Sequence, residues 1–503
     1  MNFRIVLHFL GLLLIGLAAM MALMAMAAYG FGEYEQTIRF SASGLVTGFV
    51  AGALMLGLRG DHDGMNGRRE MFMMLALGWL IVPLFAGLPF LNASLGLSVF
   101  EAWFEGVSAL TTTGISLIDF QTRNVPDSIY LWRGFLGWVG GFCAVIMMIV
   151  FLAGSGLGGL DSSHVSFAHG EGEGVMSRSR QTIRLLGPIY AAITIIGWAV
   201  LSLSGLPGLD SLLLAMGGIS TSGMAGPQGL APVGGNLLAM FAIALMCLAG
   251  TVNMTHHARL FLSRRRTLTG IYFGEPELSA IFAWIFGGTL ICTAGFIVFQ
   301  QAGIWEALTT ALFNMVSFAS TTGYGLTMVG TGTGAGLGAE SSVAGLPLVG
   351  AVTLGIAMVI GGAVGSTASG IRPIRLMILY MQGERELARM VHVKSIVRFR
   401  IRGQHLQNSV VRAVSALLLL YILCGVACGL GLAAAGMPVE DAMIAALSAM
   451  TNCGPALAFF TNGAVTGPDL EDGMQAVYAA GMILGRVEVL AFIALLTPQY
   501  WRR

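Results

Sequence analysis

The chain has 503 residues, 56% hydrophobic and only 10% charged, with a formal net charge of +1. Soluble domains carry about 25% charged residues. A soluble enzyme is therefore excluded, and repeated apolar runs of 18 or more residues specify a polytopic helical membrane protein. The 71 glycines suit close helix packing and broken helices in lipid.

The first span is predicted over Leu7–Tyr29 and the second over Ala42–Leu58, with a polar loop, Arg59–Glu70, after them. The Ala-rich end of the first span, Met24–Ala28, has the look of a signal-peptidase site. Its apolar stretch exceeds the usual signal core of about 7–15 residues, so a retained helix is expected. This N-terminal pair occupies residues 1–70.

From Met71 onward one pattern occurs four times: a span, a short apolar segment, a Ser/Thr-rich run ending in Gly, and a second span. The unit over 71–160 uses Met71–Leu91, Ser98–Leu110 and Ile129–Leu152. The unit over 161–270 uses Ile183–Leu203, Leu209–Ile219 and Leu237–Leu262. The unit over 271–400 uses Leu278–Gln300, Trp305–Phe318 and Leu346–Leu379. The unit over 401–503 uses Ser409–Leu432, Val439–Met450 and Gln475–Leu496. The expected fold is an all-α polytopic membrane protein with about ten crossing helices and four half-helices. Its four tandem helix–half-helix–helix repeats surround a central pore, and an extra transmembrane helix pair precedes them.

Each short segment spans about 20 Å, too little for a ~30 Å hydrocarbon core. Poor helix formers follow it: Thr111-Thr112-Thr113-Gly114, Ser220-Thr221-Ser222-Gly223, Ser320-Thr321-Thr322-Gly323 and Thr451-Asn452-Cys453-Gly454. Ser108, Ser317 and Ser448 stand at one shared position before the glycine, with Gly217 in the second unit. Irregular backbone at membrane depth survives only when buried in protein or lining an aqueous cavity. A helix C-terminus and converging carbonyls favour a cation there. Four such loops in one chain suffice to close a ring.

Charge supports this map. With ten crossings both termini share one side, and that side holds all of the 26 lysines and arginines except Arg39, Arg123, Arg133 and Arg486. The positive-inside rule places it in the cytoplasm and the four runs near the outside. Acidic residues, among them Asp119, Asp210, Glu340, Glu440, Asp441, Asp469 and Asp472, lean to the outer side, where they would concentrate cations.

Thr321-Thr322-Gly323-Tyr324-Gly325 is similar to the Thr-Val-Gly-Tyr-Gly filter of potassium channels, whose carbonyls replace the ion's hydration shell. The four units as a whole, covering roughly residues 1–500, resemble the Trk/Ktr/HKT superfamily of potassium transporters. The extra N-terminal pair resembles the TrkH branch. That resemblance implies that the sixteen residues of the four runs form a K⁺ filter. Gly114, Gly223, Gly323 and Gly454 would take the backbone conformation that turns neighbouring carbonyls to the axis. The fourth run departs most, through Asn452, Cys453 and Pro455.

The second span of the third unit, Leu346–Leu379, would be about 50 Å long if straight. Its middle carries Gly361, Gly362, Gly365, Ser366, Thr367, Ser369 and Gly370. Such a stretch argues against a continuous helix, although a kinked helix with small residues remains open. The resemblance implies an intramembrane gate loop beneath the filter. Arg486, in the middle of the last span, must face the protein interior. The resemblance implies that it latches or electrostatically obstructs the pore; pairing with Glu488 is disfavoured because residues two apart on a helix do not face each other.

The resemblance further implies a homodimer of pores docked on a cytosolic ring of nucleotide-binding regulatory subunits of the TrkA type. The eight basic residues from Arg372 to Arg402 suit either that partner or lipid headgroups. Gly154–Gly159 matches a dinucleotide fingerprint but follows a membrane helix instead of a strand, and Lys394 lacks a glycine loop. No nucleotide site and no nucleic-acid partner are therefore expected. Cys424 and Cys428, and His256 and His257, are read as packing or helix-end residues and not as metal ligands. Two other readings stay open: a symporter coupling K⁺ to H⁺ or Na⁺, and the potassium-binding subunit of an ATP-driven pump.

Overall fold

The computed structural model describes residues 3–57, 68–92, 94–120, 123–152, 175–262, 275–326, 348–391, 400–401, 404–405 and 408–487. Two long apolar helices, α1 (Phe3–Gly30) and α2 (Tyr34–Gly57), pack along each other, and α1 also lies on α3 (Arg68–Ala86). The first repeat then adds α4 (Val99–Leu110) and α5 (Asp127–Met147), the latter continuing as a π-turn over Met148–Leu152. The second is α6 (Val175–Leu203), α7 (Gly208–Ser220), α8 (Leu237–Thr251) and α9 (Met254–Leu262). The third is α10 (Pro276–Gln300), α11 (Ile304–Ala319), α12 (Leu348–Ile360) and α13 (Pro373–Val391). An antiparallel pair with Arg400 opposite His405 and Ile401 opposite Gln404 leads to the fourth: α14 (Asn408–Ala434), α15 (Val439–Met450), α16 (Pro455–Phe460) and α17 (Asp472–Val487).

The half-helices α4, α7, α11 and α15 start and stop within two residues of the limits expected from the sequence. Local chemistry explains this. The Ser98 side chain accepts from Glu101 N while Glu101 reaches back to Ser98 N, a reciprocal cap that starts α4. Pro207 and Pro438 occupy the corresponding cap positions of α7 and α15.

The repeats pack in rotation. The second helix of the first repeat, α5, lies on half-helix α7 of the second; α8 lies on α11 of the third; α17 of the fourth lies on α4 of the first. The third repeat differs, because its second helix is interrupted and α13 packs on α14. One apolar core joins α1, the first repeat and the fourth; a second joins the second and third repeats. Outward-facing Phe49, Leu203, Phe299, Trp305 and Leu423 stay exposed, as a lipid-facing belt requires.

Two of the expected spans are broken: one read as a single helix, and one whose glycines already argued against continuity. Among the described residues, seven helices (α1, α2, α3, α5, α6, α10 and α14) are long and apolar enough to cross a membrane unbroken. The span expected over Leu237–Leu262 bends by 102° between α8 and α9. At that bend Ala363 N donates to Thr251 O (3.0 Å) and Thr367 N to Gly250 O (3.0 Å), so another segment takes carbonyls that end α8. The expected Leu346–Leu379 helix stops at Ile360 and resumes at Pro373. The described part of the last span ends at Val487; Glu488, Gly154–Gly159, Lys394 and Glu340 lie outside the described residues.

Candidate functional site

The four Ser/Thr-rich runs leave their half-helices by one shared turn. Thr113 N donates to Ser108 O (2.9 Å), Ser222 N to Gly217 O (3.0 Å), Thr322 N to Ser317 O (2.9 Å) and Cys453 N to Ser448 O (2.9 Å). This six-to-one closure needs a left-handed residue just before it. That residue is Thr112 (φ +59°), Thr221 (+54°), Thr321 (+59°) or Asn452 (+51°). A β-branched residue there is strained by about 1–3 kcal/mol, so the surroundings must hold it. Asn452 is the one member whose side chain tolerates the conformation, which explains an amide where the others carry a hydroxyl.

Flanking hydroxyls stiffen the turns. Thr111 pairs with Thr113 (2.8 Å), Ser220 donates to Ser222 (3.0 Å) and Ser320 pairs with Thr322 (2.7 Å). Thr451 has Cys453 at the matching position; there Ser448 Oγ donates to Cys453 O (2.7 Å) and pairs with Tyr478 (2.7 Å). All sixteen residues except the glycines are at most 1% exposed.

The glycines record how the loops meet. A Cβ on Gly114 would collide with Ser222 O, and one on Gly223 with Thr322 O. A Cβ on Gly323 would stand 2.8 Å from Cys453 Sγ, and one on Gly454 would press on Thr113 O. Loop one therefore abuts loop two, two abuts three, three abuts four, and four returns to one. Gly114, Gly223 and Gly323 have φ of +83°, +65° and +83°. Gly454 departs from expectation: its φ is −60° because it caps α16, and its N–H donates to Thr113 O (2.6 Å). Asn452 Nδ2 reaches Thr113 Oγ1 (3.0 Å) across the same junction, and Tyr324 OH donates to Met224 O (2.6 Å) between loops three and two.

The segment between α12 and α13 is not helical. Gly361, Gly365 and Gly370 have φ of +70°, +78° and +93°, and Gly362 N donates to Ser369 O (3.4 Å) to close the loop. Ser366 Oγ donates to Ala363 O (2.6 Å), and a Cβ on Gly365 would meet the Asn253 side chain at the α8–α9 bend. The loop touches the ring of turns directly. Ser369 N donates to Thr321 Oγ1 (3.1 Å), Ser369 Oγ to Asn452 Oδ1 (3.0 Å), and Thr367 Oγ1 to Ile219 O (2.8 Å) at the end of α7.

Arg486 points into the protein and is 6% exposed. Its Nη1 donates to Thr367 O (2.8 Å) and Ser369 Oγ (2.8 Å), while Nε and Nη2 have no hydrogen-bond partner among the described residues. A small cavity beside it is bordered by Met148, Ser366, Arg372, Tyr421 and Gly485. His256 and His257 sit on α9 just past the bend, buried; His257 Nε2 donates to Ala249 O (3.0 Å) in the last turn of α8.

Sequence reasoning missed the polar groups behind the turns. Glu105 on α4 and Asn314 on α11 hold one position relative to their glycines. Each captures the chain twelve residues on: Leu117 N donates to Glu105 Oε1 (2.6 Å), and Leu326 N to Asn314 Oδ1 (2.8 Å). Arg133, assigned from the sequence to the outer face, lies inside α5 and pairs with Glu105 (3.0 Å). A second acid in α4, beyond the first turn where Glu101 serves the cap, was the available signal.

The buried turns lie inside a bundle of apolar helices long enough to cross a membrane, and the family that matches the chain gives its class, a cation transport protein. The family described as "TrkH: Cation transport protein" matches residues 41–502, and the chain belongs to that family. It is 29% identical to the Trk system potassium uptake protein TrkH of Vibrio parahaemolyticus over the whole of both chains. It is 27% identical to TrkI of Halomonas elongata over 86% of this chain and 84% of that one. The crystal structure of the potassium transporter TrkH from Vibrio parahaemolyticus superimposes with a TM-score of 0.87 at 28% identity, covering both chains fully. The relatives are transport proteins, and this chain is not an enzyme.

Proposed function

We propose that this chain is the pore-forming membrane subunit of a potassium uptake system. Thr111–Gly114, Ser220–Gly223, Ser320–Gly323 and Thr451–Gly454 would act as its K⁺ filter. The observation that carries this reading is the closed sequence of contacts from loop to loop, since four buried turns abutting in rotation can present carbonyls to one bare cation. Relatives carrying potassium uptake in their names support the choice of ion. In this reading the protein sits in the bacterial cytoplasmic membrane with both termini inside. K⁺ moves passively, gaining about 2.3 kcal/mol per 100 mV of inside-negative potential.

The Gly361–Gly370 loop serves as the gate, with Arg486 as its latch. Its bonds to Thr321 and Asn452, and the bond from Arg486 to Ser369, support this reading, in which the loop obstructs the inner edge of the filter and Arg486 adds a positive charge there. The assembly is a homodimer bound to cytosolic nucleotide-binding subunits through the basic inner face. Proteoliposomes under an inside-negative potential test this. K⁺ flux should exceed Na⁺ flux, and planar bilayers should show unitary currents. Equal fluxes would remove the filter role, and turnover locked to H⁺ or Na⁺ would make it a symporter.

A further inference from the structure

Behind the first turn lies a fully buried ion pair that the transport reading above does not use. Glu105, on α4, is 0% exposed, and Arg133, on α5, is 5% exposed. Arg133 Nε donates to Glu105 Oε2 (3.0 Å), and its guanidinium lies 5.1 Å from the centre of the Phe120 ring. The pair grips the chain immediately after Gly114. Arg133 Nη2 donates to Ile115 O (3.3 Å), and Ser108 Oγ binds the same carbonyl. Ser116 Oγ (2.6 Å) and Leu117 N (2.6 Å) both donate to Glu105 Oε1. Three successive residues leaving the turn are thus fastened to one charged couple.

Among the described residues, the other repeats have no such couple. Leu214, Asn314 and Ala445 stand where Glu105 stands. The charge is placed where the ring is least regular. Loop four lacks the third hydroxyl, and Gly454 N draws on Thr113 O (2.6 Å). A Cβ on Gly454 would also press on Ile115 N, and one on Gly467, from the fourth repeat, on Ser116 O. The first turn is therefore pulled from its front by the fourth repeat and held from behind by the pair. A buried ion pair costs desolvation and commonly adds little net stability, so its use lies in fixing a geometry.

We infer that Glu105 and Arg133 are positioning residues for ion selection: they hold Ile115 and Leu117 against the pull of loop four and so set the opening of the first turn toward the ion. This rests on the filter reading above. A turn released from behind would relax toward loop four and widen the opening. A wider opening lets Na⁺ pass with part of its hydration shell, so the selection that depends on exchanging that shell for carbonyls weakens.

The test uses the full chain in liposomes, with K⁺ and Na⁺ fluxes measured side by side and detergent monodispersity and melting temperature recorded. E105Q keeps acceptors for Ser116 and Leu117 while removing the charge that orients Arg133. It should lower the K⁺/Na⁺ flux ratio about tenfold, the effect of losing one charged hydrogen bond, with K⁺ flux reduced far less. The double variant E105Q/R133Q, which leaves no unpaired charge, should show the same loss of selectivity and separates it from misfolding. An unchanged ratio in either folded variant, or failure of both to yield monodisperse protein, would overturn the inference and leave the pair as a fold-stabilising contact. If the unaltered protein itself lacks K⁺ preference, the filter reading fails instead, which the same measurement distinguishes.

Discussion

The first three turns and the fourth are built from one plan with different materials. In the first three, a hydroxyl pair stiffens the run, and a left-handed glycine lets the chain leave extended. In the fourth, Cys453 supplies no hydroxyl, Gly454 is right-handed, and Pro455 turns the chain straight into α16. The amide of Gly454 then bonds to Thr113 O, whereas Gly114 N and Gly323 N each return to their own half-helix, at Ser108 O (3.3 Å) and Ser317 O (3.3 Å). A repeat free of its neighbours satisfies itself; the last repeat closes the ring by bonding to the first. The difference teaches that the fourfold pattern is approximate, and that its seam between loops four and one is a hydrogen-bonded joint.

Substitutions that strain the backbone should separate the two kinds of turn most strongly. Gly223→Ala would force a side chain into a left-handed conformation at about 1–2 kcal/mol and drive its Cβ onto Thr322 O. K⁺ uptake by a potassium-transport-deficient strain should be abolished. Gly454→Ala carries no such left-handed penalty, but its Cβ would press on Thr113 O and Ile115 N; its expected defect is a loss of selectivity with flux reduced less than in Gly223→Ala. Equal loss in both would erase the distinction.

Arg486→Ala should act next most strongly, in the opposite direction. It removes both bonds to Thr367 and Ser369, and K⁺ leak from liposomes should rise about tenfold, in line with losing hydrogen bonds to a charged group. Ser369→Ala removes one bond to Asn452 and one to Arg486 but keeps the Ser369 N–Thr321 contact and the Arg486–Thr367 bond; a smaller rise of about threefold is expected, because the latch stays partly held. The mildest change is Cys453→Ser, which restores a hydroxyl beside Thr451. Selectivity in competing-cation flux should shift less than about twofold, because the seam is set by Gly454 N and Asn452. A large gain would make the missing hydroxyl the cause of the asymmetry.

Half-helices and their terminating runs were legible because the information is local: an apolar segment too short to cross, and Thr or Gly at its end. The interruption after Ile360 was legible for the same reason, since glycine content opposes helix wherever the chain goes. The 102° bend after Thr251 was not. The carbonyls of Gly250 and Thr251 are taken by amides of Thr367 and Ala363, more than a hundred residues away. Nor was the pairing of Glu105 with Arg133 legible, since two helices must cross before the charges meet.

By itself the sequence determined a lipid-embedded, fourfold-repeated helical chain with a short broken helix in every unit, because apolar length, helix breakers and charge asymmetry act through near neighbours and the membrane. Only the tertiary structure decided that Thr112, Thr221, Thr321 and Asn452 turn left-handed, that Gly454 does not, and that the Ser369 loop and Arg486 meet beneath them. Those outcomes depend on groups far apart in the chain competing for the same hydrogen bonds in a space that excludes water, where each unpaired partner is costly.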